Sequence, residues 1–509
     1  MKWLLSLIAA FSFVSSIQAA DAPRPNILFI IFDDWGWQHA GAYGCDWVKT
    51  PNFDRVAKEG VLFKNAFTSN PKCSPCRATI LTGRNSWQLE EAVCHGGIFP
   101  PKFAVYPDLL ETSGYTVGLT GKGWGPGEFK LEGRTRNPAG PAFDEFKQKT
   151  PTKGITTTDY SRNFDGFLAQ RDKAKPFCFW MGFKEPHRTY ELDSGVRMGK
   201  KLSDVKVPGY LPDNDTVRGD LADYAIEVEY ADSHIGRTLD LLEKQGILDD
   251  TLIIVTSDHG MPFPRVKGQI YEDGYHLPLA MRWGKGIKPG RVVEDFINVR
   301  DLAPTYLELA GLKPHEQMSG KSLVNILRSE KSGFIEDRKI MLAGKERHDI
   351  GRPNDWGYPV RAIRTPEFFY SHNYHPERWP ACNPETGFGN CDDGPTKSWI
   401  VDHQGPFFDL AFAYRAEEEL FDIAKDPECL KNLAGDPKFA AKKQELRSQM
   451  EVILKDEKDP RVLGNAAIFD TYKYLGNRSK KGYAEWEAAQ KGQPLPEEPK
   501  KKGKKSADE

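Results

Sequence analysis

Two uninterrupted apolar runs stand out along the chain, Asn26-Ile27-Leu28-Phe29-Ile30-Ile31-Phe32 and Thr251-Leu252-Ile253-Ile254-Val255-Thr256. A run without polar alternation predicts a strand buried on both faces, as in a parallel sheet. Each run ends abruptly in polar residues, the first in Asp33-Asp34 and the second in Ser257-Asp258-His259-Gly260. Between them, Asn52 to Gly60 and Ala222 to Gly246 carry helical spacing. In the second stretch Ile226, Ile235, Leu239 and Leu242 share a face, and Gly246 stands where a helix would stop. Strands alternating with helices predict an α/β domain over residues 22–340, a large mostly parallel sheet sandwiched by helices.

From residue 341 the pattern changes. Aromatic and basic residues crowd Arg361 to Trp379, Gly, Pro and Asn loops follow, and a helix-like stretch runs from Lys438 to Leu454. This predicts a smaller C-terminal α+β domain, residues 341–490, with a short antiparallel sheet and a helix. Residues 491–509 are Lys-, Glu- and Pro-rich without an apolar face and are expected to be disordered.

Composition adds the compartment and excludes some partners. Lys2, the apolar run Trp3 to Val14 and the small-residue exit to Ala19-Ala20 form a cleavable export signal over residues 1–19, so the protein is expected to be secreted or periplasmic. No later stretch is long enough to span a bilayer. A formal net charge of −2 gives no general attraction to nucleic acid, so affinity for a polyanion must come from a local cationic pocket. Eight cysteines in 509 residues make no disulfide scaffold, although Cys382 and Cys391 could close their loop as a bridge.

The acidic strand ends are the first chemical signal. In an open α/β sheet the carboxyl ends of parallel strands line one crevice, where ligands bind. Asp33, Asp34, Asp258 and His259 would converge there. Three carboxylates in one crevice repel unless a cation joins them, and their hard oxygens favour calcium or magnesium over zinc. The same residues read in isolation could instead cap a helix and make a turn.

The second signal is Cys73-Ser74-Pro75-Cys76-Arg77-Ala78-Thr79-Ile80-Leu81-Thr82-Gly83-Arg84. Pro75 and the run after it place a helix start at or next to Cys73, with unpaired N–H groups facing any bound anion. Arg77 carries a fixed fork of donors for oxyanions. The string resembles the signature of the type I sulfatases, in which the Cys becomes formylglycine and its hydrate attacks sulfur. The resemblance continues through Thr50-Pro51-Asn52-Phe53-Asp54, Gly114-Tyr115-Thr116 to Gly121-Lys122, Glu185-Pro186-His187, Lys267, and Leu420-Phe421-Asp422 near the end.

That resemblance implies an alkaline-phosphatase-like fold and a sulfuric ester hydrolase. Its catalytic set would be Cys73, Arg77, Lys122, His187 and Lys267. One Ca2+ would be held by Asp33, Asp34, residue 73, Asp258 and His259. It also implies a formylglycine-generating or radical sulfatase-maturating enzyme as a partner. One element departs: many sulfatases carry a His just after the Lys of the second signature, and here Lys122 is followed by Gly123-Trp124-Gly125. His95 is a candidate to supply the missing base.

Ser257 to Pro264, Pro186-His187-Arg188 and Tyr358 to Arg361 resemble the heparan N-sulfatase branch. This implies a sulfated polysaccharide or glycosaminoglycan as substrate, cut at an O-ester or an N-sulfo group. Arg347, His348, Arg361 and Arg378 are candidate substrate contacts, or else a solvated basic face. A phosphatase or phosphodiesterase of the same fold, and a non-catalytic sugar-binding relative, are the competing readings.

Overall fold

The structure is a computed structural model that describes residues 24–131, 133–476 and 482–494. The expected export signal, residues 1–19, and most of the expected tail lie outside the described residues.

Seven strands form the main sheet, in the spatial order Thr116–Gly121, Phe177–Gly182, Asn26–Phe32, Thr251–Ser257, Leu279–Arg282, Val61–Phe63, Arg291–Val293. The first four are parallel, Leu279–Arg282 runs against both of its neighbours, and the last pair is parallel again. The strand Asn26–Phe32 lies inside the sheet, which is why its sequence shows no polar alternation. Successive side chains point to opposite faces, so Leu28, Ile30 and Phe32 enter one hydrophobic core and Ile27, Phe29 and Ile31 enter the other. Each fully buried side chain of this size contributes ~1.5–3 kcal/mol relative to exposure.

Register then places the chemistry. Phe32 lies opposite Ser257 in the parallel pair, so Asp33 and Asp258 leave the sheet side by side. The N–H of Asp258 donates to the Phe32 carbonyl at 3.2 Å, extending the ladder by one residue.

The helix expected from Ala222 instead spans Asp215–Lys244, with Asn214 as its N-cap accepting from the Val217 N–H. Its first turns, Asp215 to Asp220, include Gly219 and several polar residues and so hide the apolar period, but Asn214 is the start signal. Asp232 on this helix accepts from the N–H groups of Asn52 and Phe53 at 3.0 and 2.8 Å, anchoring the helix Pro51–Lys58.

The C-terminal part carries a four-stranded antiparallel sheet, Met341–Lys345, Val360–Arg364, Phe368–Asn373 and Glu418–Asp422 in that order. The helix Ala440–Asp456 covers it. Leu446, Met450 and Leu454, spaced four apart, pack with Leu342, Ile363, Tyr370 and Leu420, and Trp87 from the N-terminal part joins the same cluster. All eight cysteines are free thiols, so Cys382 and Cys391 do not close their loop; their sulfurs lie against the carbonyls of Ile350 and Asp392.

Candidate active site

The site forms where the parallel strands end. Cys73 opens the helix Cys73–Thr82, every residue of which is buried. Its sulfur lies 3.3 Å from Asp33 Oδ1 and 3.5 Å from His259 Nε2. The helix N-terminus therefore faces the crevice with its unpaired N–H groups, as Pro75 suggests.

Arg77, one turn along, is fully buried and does not point into open space. Its Nε donates to Asp258 Oδ2 at 2.9 Å, and its Nη1 donates to the carbonyls of Lys122 and Gly123 at 2.7 and 3.2 Å. It is a brace between the nucleophile helix, the acidic strand end and the Lys122 loop. Lys122 follows Gly121, whose φ is +74° and where a Cβ would lie 2.1 Å from the Gly182 carbonyl oxygen, so no side chain fits. The Lys122 N–H donates to the same Gly182 carbonyl at 2.7 Å, and its Nζ reaches Asp33 Oδ2 at 2.5 Å.

Lys267 Nζ bridges Asp34, at 2.6 and 2.5 Å, and Asp392 at 3.1 Å. His187 enters from a loop tied to the first acidic strand end, because the Glu185 carbonyl accepts from the Asp33 N–H at 3.1 Å. Its Nδ1 bonds the Arg188 carbonyl at 2.7 Å, which fixes Nδ1 as the protonated nitrogen and leaves Nε2 for the crevice.

The donor set fits a hard cation. Ligand atoms of Asp33, Asp34, Cys73 and His259 all lie within 4.8 Å of one another, and Asp258 Oδ1 lies 3.6 Å from His259 Nε2. His259 donates Nδ1–H to the Gly260 carbonyl at 3.0 Å, presenting Nε2 as the ligand nitrogen. Burial and the neighbouring Asp33 push Asp258 up to about 7, against the pull of His259 and Arg77. Burial opposes a charge on His259, yet Asp258 and Asp34 lift it to about 10. Asp258 is raised chiefly by burial and His259 by the two carboxylates beside it, and the oxygens that draw a proton onto His259 would equally draw a metal ion.

Two cavities meet at Cys73, His95 and His187, one of about 480 Å3 and one of about 170 Å3. His95 Nδ1 lies 2.9 Å from Asp349 Oδ1, and Asp349 Oδ2 lies 2.9 Å from Lys72 Nζ. Trp124, in the stretch where many sulfatases carry that His, is buried and donates Nε1–H to the Ser74 carbonyl at 3.0 Å, bracing the nucleophile helix.

None of the four expected substrate contacts lines either cavity. Arg347 is buried and donates to the Tyr472 carbonyl, and His348 Nε2 lies 2.6 Å from Asn70 Oδ1. Arg361 is paired beneath the C-terminal sheet, and Arg378 donates to the Gly357 carbonyl while stacking over Trp356. Sequence reasoning missed Lys72, Thr156, Lys184, Asp349 and Asp392, which do line the cavities. Lys72, directly before Cys73, is the one of these that its position could have exposed.

A sequence profile for the family described as Sulfatase matches residues 25–312. The chain is 29% identical to human N-sulphoglucosamine sulphohydrolase, over 88% of this chain and 93% of that protein. It is 26% identical to an N-acetylglucosamine-6-O-sulfatase of Bacteroides thetaiotaomicron, over 90% of this chain and 91% of the other. Among solved structures, a protein in complex with its substrate D-glucosamine-2-N,6-O-disulfate aligns with a TM-score of 0.64 at 23% identity, covering 86% of this chain and 99% of that one. The phosphonate monoester hydrolase of Agrobacterium radiobacter shares the fold at a TM-score of 0.63 and 22% identity, covering 85% of this chain and 96% of that one. The profile spans more than half of the 509 residues, so this chain belongs to the sulfatase family and is a sulfuric ester hydrolase.

Proposed function

We propose that the chain is an exported, calcium-dependent sulfatase that removes sulfate, as O-ester or N-sulfo group, from sugars of a sulfated polysaccharide or glycosaminoglycan. The observation that carries this reading is the position of Cys73 at a helix N-terminus between a carboxylate cluster and two lysines, with one cavity on each side. The named activities of the relatives support the substrate class, since both act on amino sugars bearing sulfate.

Cys73 is matured by a formylglycine-forming enzyme, and the hydrated aldehyde supplies an oxygen nucleophile where the sulfur now lies. Asp33, Asp34, Asp258, His259 and residue 73 hold one Ca2+, which supplies positive charge to the sulfate oxygens when bound. The helix N-terminus, Lys122 and Lys267 face those oxygens. Arg77 acts through the parts it braces. His187, with its Nδ1–H held by the Arg188 carbonyl, presents Nε2 to the leaving atom and, when doubly protonated, delivers the Nε2 proton.

Release requires the second hydroxyl of residue 73 to lose a proton as the C–O bond to sulfate breaks and the carbonyl re-forms. His95 is the imidazole beside Cys73 that is oriented by a carboxylate, Asp349, the arrangement of a base with its orienting partner. If it acts so, His95→Ala leaves the first transfer intact and sulfated residue 73 accumulates in rapid-quench mass spectrometry. Normal turnover without an adduct removes His95 from the mechanism.

The phosphatase alternative needs a second metal. Asp34, His187 and Asp392 offer a second group of ligand atoms, but Lys267 Nζ stands between Asp34 and Asp392 and occupies that place with a fixed cation. The reading as a whole is tested by the mass of the peptide containing residue 73, where maturation replaces sulfur and two hydrogens by one oxygen. Sulfate release from sulfated glucosamines by the matured protein is the companion measurement. A matured protein that releases phosphate but no sulfate overturns it.

A further inference from the structure

The larger cavity, about 480 Å3, exceeds what one sulfate needs and has room for a sugar ring. Beyond the expected catalytic residues, its lining includes Gly125, Pro126, Gly154, Thr156, Lys184 and Glu227. Three lysine or arginine side chains border the whole cavity, and two of them are already engaged. Lys122 is bound to Asp33, and Arg188 makes two 2.7 Å bonds to the Asp220 carboxylate and a third to the Pro262 carbonyl. Lys184 is exposed and makes no ion pair among the described residues.

The backbone beneath Lys184 is rigidly placed. Its N–H donates to Tyr160 Oη at 3.0 Å, Tyr160 donates to Glu185 Oε2 at 2.8 Å, and the Thr156 N–H donates to Glu185 Oε1 at 2.9 Å. The Glu185 carboxyl is thereby turned into the protein and satisfied. Glu227, a further acid of the lining, is buried without a hydrogen-bond partner for either oxygen. Burial, with the charge of Glu185, pushes it up to about 9, so it carries no negative charge at neutral pH. Of the acids in the lining, Asp33 is bonded to Lys122, Glu185 is bonded inward and Glu227 is pushed towards its neutral form, which leaves Lys184 as the cation of this cavity without an ion pair among the described residues.

We propose that Lys184 is a specificity-determining residue that reads a second anionic group, a carboxylate or a further sulfate, on the sugar whose reacting sulfate lies at residue 73. The proposal rests on the sulfatase reading above and adds to it the charge of the substrate: a sugar bearing two anions. The contact is solvent-exposed, so its effect is that of an exposed ion pair, about two- to fivefold in affinity, and it weakens as salt rises.

Calorimetry on the holoprotein with glucosamine N-sulfate and with glucosamine 2-N,6-O-disulfate gives the test, read as the ratio of the two dissociation constants. Wild type should favour the disulfate, Lys184→Gln should lose about two- to fivefold of that preference, and Lys184→Arg should keep it. High salt should flatten the wild-type ratio towards that of Lys184→Gln. A preference that survives in Lys184→Gln, or wild-type binding that does not distinguish the two sugars, overturns the assignment of Lys184 while leaving the sulfatase reading intact. Failure to bind either sugar or to release sulfate from any substrate strikes the sulfatase reading itself.

Discussion

Beneath the C-terminal sheet, Arg361 and Arg461 face Glu346 and Asp459. Arg361 holds Asp459 through Nε and Nη2 at 2.6 and 3.0 Å and Glu346 at 2.8 Å, while Arg461 forks onto Glu346 at 2.9 and 2.6 Å. In the crevice, Arg77, Lys122 and Lys267 face Asp33, Asp34 and Asp258, with His259 and Cys73 wedged among them. Both clusters are buried apart from Arg461 in the first and Lys122 in the second, which are half-buried. The first is closed: two cations meet two anions in paired geometry, and its carboxylates have no further demand. The second is open: Asp258 is driven up and His259 is drawn towards a charge it would not otherwise hold. Three cations meet three carboxylates here too, so burial and formal charge alone do not mark a functional site; convergence on a nucleophile beside a cavity does.

The largest expected effect tests that openness. Exhaustive chelation, verified by elemental analysis, should abolish sulfate release, and Asp258→Asn should do the same. Calcium should restore the chelated enzyme better than zinc, given the carboxylate-rich donors. Full activity in metal-free protein would make the crevice a second closed cluster.

The next effect belongs to the closed cluster. Arg361→Leu leaves Glu346 and Asp459 buried with less compensation and should cost ~3–5 kcal/mol of stability. Denaturant midpoints measure it, and the rate per folded molecule should stay near wild type. A large loss of rate with normal stability would return Arg361 to the substrate.

Lys122→Ala and His187→Ala follow, each lowering kcat by ~100-fold or more, as expected for groups that act on developing charge. Their stability should change far less than that of Arg361→Leu. The smallest effect is Cys76→Ala. Cys76 is fully buried in the core rather than in the crevice, so it should lose ~1 kcal/mol of stability and keep its activity.

This contrast also explains what the sequence disclosed. Asp33 and Asp258 were legible because an apolar strand cannot end in carboxylates without somewhere for them to go, and parallel pairing sends neighbouring ends to one crevice. Cys73 and Arg77 were legible because the helix start and the spacing form a string. Arg361 was misplaced because a basic residue on an antiparallel strand points to one face or the other according to register, and its partner Asp459 lies 98 residues away. Asp349, Asp392 and Lys184 sit in loops or at a strand end without periodicity, where only the folded arrangement says which cavity they border. The main sheet was legible from its apolar runs; the place of the reversed strand Leu279–Arg282 was not, because a short buried strand looks the same in either direction.

The strand that carries Asp33 and Asp34 pairs with Phe177–Gly182 on one side and with Thr251–Ser257 on the other. Its place in the sheet is therefore filled only after more than two hundred residues of later chain have been made and brought back. Long-range pairing of this kind is slow to form. Once it closes, Asp33 and His259 meet over Cys73, which is left 1% exposed. The crevice thus has a place in time as well as in space. The maturation proposed for residue 73 would accordingly belong to the interval before the sheet completes, while the stretch from Cys73 to Arg84 is still an accessible peptide.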